Sequence, residues 1–183
     1  RAGGTGGMDV DPDPIIPPSF RREVTFDTMG EQLLEDARNG AKGNHARENE
    51  AYEGAQILVV GKNCGCGSSR GHGPQALMRY GFNGFIGGSF AEIFAGNCTA
   101  MGLICVTLPD GDLTKLMDSV ELDPTQEVTI DIDARTITYR DGTLTAGIAD
   151  GTRVQLLEGT WDAMGLLLDA GDGIEATGNA LPY

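Results

Sequence analysis

The order of apolar and polar residues in the middle of the chain predicts alternating strands and helices. Residues 57–60 form a short, wholly apolar run, which is typical of a strand buried on both faces. A glycine-rich segment follows, after which Pro74 suits the first turn of a helix that Gly81 ends. Residues 82–86 have the character of a second strand, so the pattern predicts one strand–helix–strand unit.

The same alternation continues beyond this unit. Ser89 stands where its side chain can cap a second helix, predicted over 90–101, and Ile93 and Phe94 are expected in its core face. Residues 103–108 form the third predicted strand. Strand, helix, strand, helix and strand in this order favour a parallel α/β core.

The last third of the chain has a different pattern. We predict a short helix over 112–120, and residues 128–132 and 136–139 alternate β-branched with polar residues between turn signals. These predict an antiparallel hairpin or meander. Thr160 is the expected cap of a final helix, whose apolar face would comprise Trp161, Met164, Leu167 and Leu168. The predicted fold class is α/β, a mixed sheet with a parallel βαβ core and an antiparallel appendage.

The first third of the chain offers little to bury. We expect a flexible N-terminus over 1–10, an extended proline-rich segment over 11–18, and over 38–54 either a mobile surface loop or a segment that orders on binding. The length of 183 residues is that of one domain, so 1–183 is taken as a single unit.

Composition and charge exclude several classes of protein. The net charge of −14 argues against a broad basic face for nucleic acid, and no apolar run is long enough for a membrane span. The first seven residues do not resemble a secretory signal. Four cysteines in a chain of this length do not indicate a disulfide scaffold, so free thiols in a reducing cytoplasm are expected.

The glycine-rich segment 61–73 carries the clearest chemical signal. Its five glycines allow backbone N–H groups to point into a common space, and the predicted helix behind it adds the positive end of its dipole. Two hydroxyls, of Ser68 and Ser69, accompany the guanidinium of Arg70, which suits bidentate contact with an anion. The segment is therefore predicted to cradle a carboxylate or a phosphate.

Other motifs fit this segment less well. A P-loop would need its Gly-Lys pair at the end of the loop, not at the beginning. The nucleophile-elbow pattern G-x-S-x-G, with Ser69 as nucleophile of a serine hydrolase, lacks a histidine later than His72. The cysteines lack the paired spacing of a zinc site or an iron–sulfur site, and buried thiols are the simpler interpretation. A non-catalytic anion-binding module remains an alternative.

At this segment the chain resembles the swivel-domain proteins of the aconitase superfamily, and most closely the small subunits of isopropylmalate dehydratase (isomerase). The family pattern G-x-N-F-G-C-G-S-S-R-E-H-A is matched by Gly61, Asn63, Gly65, Cys66, Gly67, Ser68, Ser69, Arg70 and His72. Residues 11–17, 89–97 and 156–165 are similar to three further family motifs, in the family's order. The strand that precedes the first motif in the family is missing here or eroded into residues 1–7.

The resemblance implies the swivelling β/β/α fold and a reversible dehydration and rehydration of a 2-hydroxy dicarboxylic acid in leucine biosynthesis. It implies a large-subunit partner that carries a 4Fe–4S cluster, whose iron acts as a Lewis acid, and no metal on this chain. Ser68 would remove the proton, and Gly67, Ser69 and Arg70 would bind substrate. Substrate choice would lie in the loop of Ser19, Phe20, Arg21 and Arg22. 2-Isopropylmalate is the expected substrate, and another diacid of the citramalate or methylmalate type is the alternative.

Overall fold

The computed structural model describes residues 2–4, 54–65 and 72–181. The proline-rich segment 11–18 lies outside these residues, as does the predicted loop 38–54 except for Gly54. Within the described part of the chain, two sheets and six helices form a mixed α/β architecture, which agrees with the predicted class.

The central sheet has four parallel strands in sequence order. They are β1 (Ala2–Gly4), β2 (Ile57–Val60), β3 (Gly84–Gly87) and β4 (Ile104–Thr107). The apolar run of β2 is buried on both faces, as predicted, because Leu58 and Val60 join one core cluster while Val59 joins the other. β1 lies within the segment 1–10 that was expected to be flexible, and its three residues pair in parallel with β2.

Each face of this sheet is covered by different elements. Helices α1 (His72–Tyr80) and α2 (Glu92–Thr99) cover one face, where Leu77 and Phe94 are almost fully buried. Helix α3 (Asp110–Leu122) covers the other face. It is longer than the predicted helix and buries Leu113, Leu116, Ser119 and Val120.

The predicted antiparallel meander is confirmed. It consists of β5 (Thr129–Asp131), β6 (Thr136–Tyr139) and β7 (Gly142–Thr145), paired in that order. Ile137 of β6 is fully buried in the same cluster as α3, so the meander completes that core. Backbone hydrogen bonds in both directions between Thr107 and Gly147 connect the end of the meander to β4.

The C-terminal region differs from its prediction. It contains three helices, α4 (Asp150–Glu158), α5 (Ala163–Asp169) and α6 (Gly171–Ala180), where a single one was expected. Asp162, not Thr160, caps α5, because its Oδ1 accepts a hydrogen bond from the Gly165 N–H at 2.9 Å. The predicted apolar face is also wrong at Leu167 and Leu168, which are 56% and 75% exposed.

The start of α2 requires a further correction. The helix begins at Glu92, behind an Ala91 cap that makes no side-chain hydrogen bond, so Ser89 does not cap it. Ile93 is 56% exposed and does not belong to the core, whereas Phe94 does. The apolar spacing identified the helix but did not fix which of two adjacent residues faces inward.

No helix in the described ranges is both long and apolar enough to cross a membrane.

Candidate active site at the carboxyl edge of the parallel sheet

The carboxyl ends of β2, β3 and β4 meet at one edge of the parallel sheet. Three connections leave this edge, after Val60, Gly87 and Thr107, and two of them lead within a few residues to α2 and α3. Open α/β sheets bind their ligands at this edge, where helix N-termini and loop N–H groups converge. The glycine-rich segment begins here.

Backbone hydrogen bonds attach the first residues of that segment to the connection after β3. The Gly88 N–H donates to the Gly61 carbonyl at 3.1 Å, and the Cys64 N–H donates to the Ser89 carbonyl at 3.1 Å. The Ala91 N–H donates to the Cys64 carbonyl at 2.9 Å. Residues 61–65, here called the stem, therefore continue the parallel pairing beyond the sheet.

A side-chain contact holds the stem at Asn63. The Asn63 N–H donates to Ser89 Oγ at 2.8 Å, and Ser89 Oγ donates to Asn63 Oδ1 at 3.3 Å. The backbone of Asn63 is left-handed, with φ of 56°. Asparagine tolerates this region better than most residues, at a steric cost that the surrounding contacts must offset. The sequence assigned Ser89 to the wrong role, although its place directly after β3 was a signal for contact with the loop after β2.

Gly65 is required both by conformation and by space. Its φ is 91°, and a Cβ atom at this position would lie 2.3 Å from Cβ of Phe94. Phe94 is almost fully buried and has ring contacts with Phe85 at 5.9 Å and with Phe90 at 6.2 Å, so it has little room to move. The stem therefore packs directly against α2, and any side chain at position 65 would displace the stem.

The residues predicted to carry the chemistry follow the stem but lie outside the described residues. This holds for Gly67, Ser68, Ser69 and Arg70, and for the predicted specificity loop of Ser19, Phe20, Arg21 and Arg22. The chain leaves the described part at Gly65 and returns at His72. Because α1 runs from the end of β2 back to the start of β3, both attachment points of the segment 66–71 lie towards the carboxyl edge.

Lys62 and Asp110 form an ion pair across the same edge, with Nζ 2.6 Å from Oδ2. Both side chains are more than half exposed, so the pair contributes little to stability. It nevertheless connects the stem to the first residue of α3.

Of the described cysteines, Cys64 and Cys98 are buried and Cys105 is half-buried. A hydrogen bond with Cys105, followed by burial, raises the pKa of the Cys98 thiol far above its ordinary value. Since the thiolate is the nucleophile and the metal ligand, Cys98 is unsuited to either task. Over the described ranges no group of three or more metal-binding side chains occurs. Cys66 lies outside them.

A groove of about 850 Å³ lies between α2, β4 and α4. Its lining includes Phe90 and Glu92, which are the neighbours in sequence of the stem-bonded residues Ser89 and Ala91. The half-buried Trp161 also lines it. Trp161 packs on Gly102, where a Cβ atom would lie 2.9 Å from the indole ring. The sequence did not predict this groove, because one of its walls is the unpredicted helix α4.

Comparison with known proteins places this architecture in a family. The family model of the aconitase C-terminal domain matches residues 8–111. The 3-isopropylmalate dehydratase small subunit of Synechocystis sp. PCC 6803 is 44% identical over 97% of this chain and 88% of its own length. That of Thermus thermophilus is also 44% identical, over 97% of this chain and 90% of its own length.

A solved structure supports the same grouping. The crystal structure of a 3-isopropylmalate dehydratase from Methanocaldococcus jannaschii superimposes with a TM-score of 0.68 and 25% sequence identity. The match covers 94% of this chain and 96% of that one. The fold and the sequence both confirm the resemblance found in the motifs, and the chain therefore belongs to the aconitase C-terminal domain family, among the small subunits of 3-isopropylmalate dehydratase.

Proposed function

We propose that this chain is the small subunit of a hydro-lyase that interconverts 2-isopropylmalate and 3-isopropylmalate in leucine biosynthesis. The observation that carries the proposal is the 44% identity to 3-isopropylmalate dehydratase small subunits over 97% of the chain. The geometry supports it, since Gly65 and His72, the described residues on either side of the segment 66–71, lie towards the carboxyl edge of the parallel sheet. We treat residues 1–183 as one swivel domain.

The reaction requires a base next to a carboxylate. Dehydration removes a proton from one carbon and a hydroxyl group from its neighbour, and rehydration returns them with the positions exchanged. We assign the proton transfer to Ser68, acting as an alkoxide. A serine hydroxyl is a very weak acid, so backbone N–H groups and nearby positive charge must lower its pKa, as they stabilise an oxyanion.

Binding of the substrate carboxylate is assigned to Gly67, Ser69 and Arg70. The planar guanidinium of Arg70 matches a carboxylate in two parallel hydrogen bonds, and the Gly67 backbone permits close approach. The rigid stem supports these assignments because a base and an anion clamp on one short segment must keep a fixed position relative to the substrate. Ser19, Phe20, Arg21 and Arg22 are proposed to select among diacids, with citramalate or methylmalate types as the alternative substrates.

The described residues of this chain do not fit an iron–sulfur cluster. Cys98 is buried with its thiol held protonated, and Cys64, which belongs to the stem itself, is buried in the core. We therefore propose that the 4Fe–4S cluster belongs to the large subunit. The relatives are named small subunits, and this name implies a large-subunit partner. The free thiols of Cys98 and Cys105 suit a reducing compartment, so we assign the enzyme to the cytoplasm.

Reconstitution tests the proposal. The chain is mixed with increasing amounts of its cluster-bearing large subunit, and the ultraviolet absorbance of the unsaturated intermediate is followed with 2-isopropylmalate and, separately, with citramalate. We expect activity to rise to saturation with the large subunit and to be greatest for 2-isopropylmalate. Activity on citramalate and none on 2-isopropylmalate would show that the substrate is a citramalate-type diacid. Activity on neither diacid would contradict the proposed function.

A further inference from the structure

We propose that Ser89 is a positioning residue for this reaction and that it acts through Asn63. The inference rests on the proposed function, because it concerns the placement of the segment that would carry Ser68 and Arg70. Neither Ser89 nor Asn63 belongs to the proposed catalytic or substrate-binding set. Their role follows from the contact between them, which joins the connection after β3 to the stem after β2.

A single hydroxyl group satisfies Asn63 twice. Ser89 Oγ accepts from the Asn63 N–H at 2.8 Å and donates to Asn63 Oδ1 at 3.3 Å. Together these bonds fix the backbone and the side chain of a residue whose φ is 56°. The left-handed backbone turns the chain at this point, so the orientation of Asn63 determines the direction in which the stem continues.

The residues after Asn63 transmit this orientation. The backbone of Cys64 is hydrogen-bonded to Ser89 and to Ala91, both in the connection after β3. Gly65 packs against Phe94 with no space for a Cβ atom. The stem consequently has one well-defined exit towards residue 66. A shift of about 1 Å in a catalytic group can lower a rate about a hundredfold, so a small change at Asn63 has a large expected effect on proton transfer.

The contact is poorly suited to a purely structural role. Asn63 is exposed and Ser89 half-buried, so water can replace the Ser89 hydroxyl without leaving an unpaired polar group in the core. Ser89 does not cap α2, which begins behind Ala91 without a side-chain hydrogen bond. Removal of the hydroxyl is therefore expected to leave the fold intact and to loosen the direction of the stem.

Three variants in the reconstituted holoenzyme test the inference. Ser89→Ala removes the hydroxyl, Ser89→Thr retains it, and Thr114→Ala removes a matched hydroxyl whose hydrogen bond to the Asp110 carbonyl lies within α3. We expect Ser89→Ala to lower kcat about tenfold or more, with a much smaller change in KM. Ser89→Thr should restore most of the activity, and Thr114→Ala should match the wild type.

Three further measurements separate positioning from other effects. The affinity of Ser89→Ala for the large subunit and its melting temperature should match the wild type, while hydrogen exchange at the Asn63 amide should accelerate. Wild-type kcat in Ser89→Ala, equal losses in the Ala and Thr variants, or weakened subunit binding would each overturn the inference while leaving the proposed function in place. An inactive wild-type holoenzyme would instead refute the proposed function, and this inference with it.

Discussion

Two residues of this protein other than glycine have a left-handed backbone within the described ranges, and they are stabilised in different ways. Arg135 lies in the turn between β5 and β6, with φ of 55°, and Asn63 lies in the stem, with φ of 56°. The turn at Arg135 is held by several partners, since the Ala134 N–H donates to Asp131 Oδ1 at 2.8 Å and Arg153 Nε of α4 donates to the Ile132 carbonyl at 2.9 Å. Asn63 instead depends on Ser89, which belongs to the next strand's connection.

The difference separates a turn that serves the fold from one that serves the site. A hairpin turn has only to reverse the chain, and here separate hydrogen bonds from its own residues and from α4 secure it. The stem must direct a catalytic segment towards a substrate, so its direction is fixed by contacts from Ser89 and Phe94, which are distant in sequence. Substitutions at the two places should consequently change different properties.

Among substitutions in the stem and in the hairpin turn, Gly65→Ala has the largest expected effect. The new Cβ atom would meet Phe94 at 2.3 Å at a φ of 91°, so the stem must move. Strain of this kind costs about 1–3 kcal/mol of unfolding free energy, and displacement of the following segment should lower kcat about a hundredfold. Thermal denaturation and the reconstituted assay measure the two effects.

Gly96→Ala is the matched control for this substitution. Gly96 lies in α2 with Phe94, and nothing stands within 4 Å of the position that the new methyl group would take. Alanine in a helix is favoured over glycine by about 1 kcal/mol, so this variant should be slightly more stable and fully active. Equal activity of the two variants would show that the stem does not position the site.

Two glycine substitutions test the comparison between the turns at Asn63 and Arg135. Asn63→Gly and Arg135→Gly both keep the left-handed backbone, so neither should change the unfolding free energy by more than about 1 kcal/mol. Asn63→Gly also loses the side-chain part of the Ser89 contact and should lower kcat several-fold, whereas Arg135→Gly should leave kcat unchanged. The reverse ranking of kcat would contradict the division between the two turns.

The smallest effect concerns the meander and its dependence on pH. A hydrogen bond from Arg140, and a smaller contribution from one donated by Ser119, lower the pKa of the Asp141 carboxyl below its ordinary value. A carboxyl whose pKa is depressed by folding stabilises the protein above its unfolded pKa of about 3.9, and this contribution is lost as the pH falls through the folded value.

Asp141→Asn should therefore unfold more easily than the wild type at neutral pH. The two proteins should converge at acidic pH, where the wild-type carboxyl is also protonated. Urea unfolding at several pH values measures the difference, and kcat at neutral pH should not change. A constant gap between the two proteins at all pH values would show that the ionised carboxylate is not the stabilising form.

The elements that depend on local signals were predictable, and those that depend on distant contacts were not. The apolar run of β2 and the β5–β6 hairpin follow directly from residue patterns. Helix α4 was missed because none of its residues is buried, so that it lacks a clear apolar stripe. β1 was missed because three small residues carry no strand pattern, and only pairing with β2 makes them a strand.

The candidate site shows the same limit. Its position after β2 and its glycine requirement were visible in the sequence, as was the resemblance that assigns Ser68 and Arg70. The contact between Ser89 and Asn63 was not, because Ser89 before a helix is statistically a cap and only the parallel pairing of β2 with β3 brings it to the stem. Tertiary pairing thus decided the role of a residue that local rules assigned elsewhere.

The most direct test of the central claim is the kcat of the holoenzyme reconstituted with Ser68→Ala. If this hydroxyl transfers the proton, kcat should fall about 10²–10⁴-fold while the affinity for the large subunit stays at the wild-type value. A kcat equal to that of the wild type would contradict the assignment of the proton transfer to Ser68.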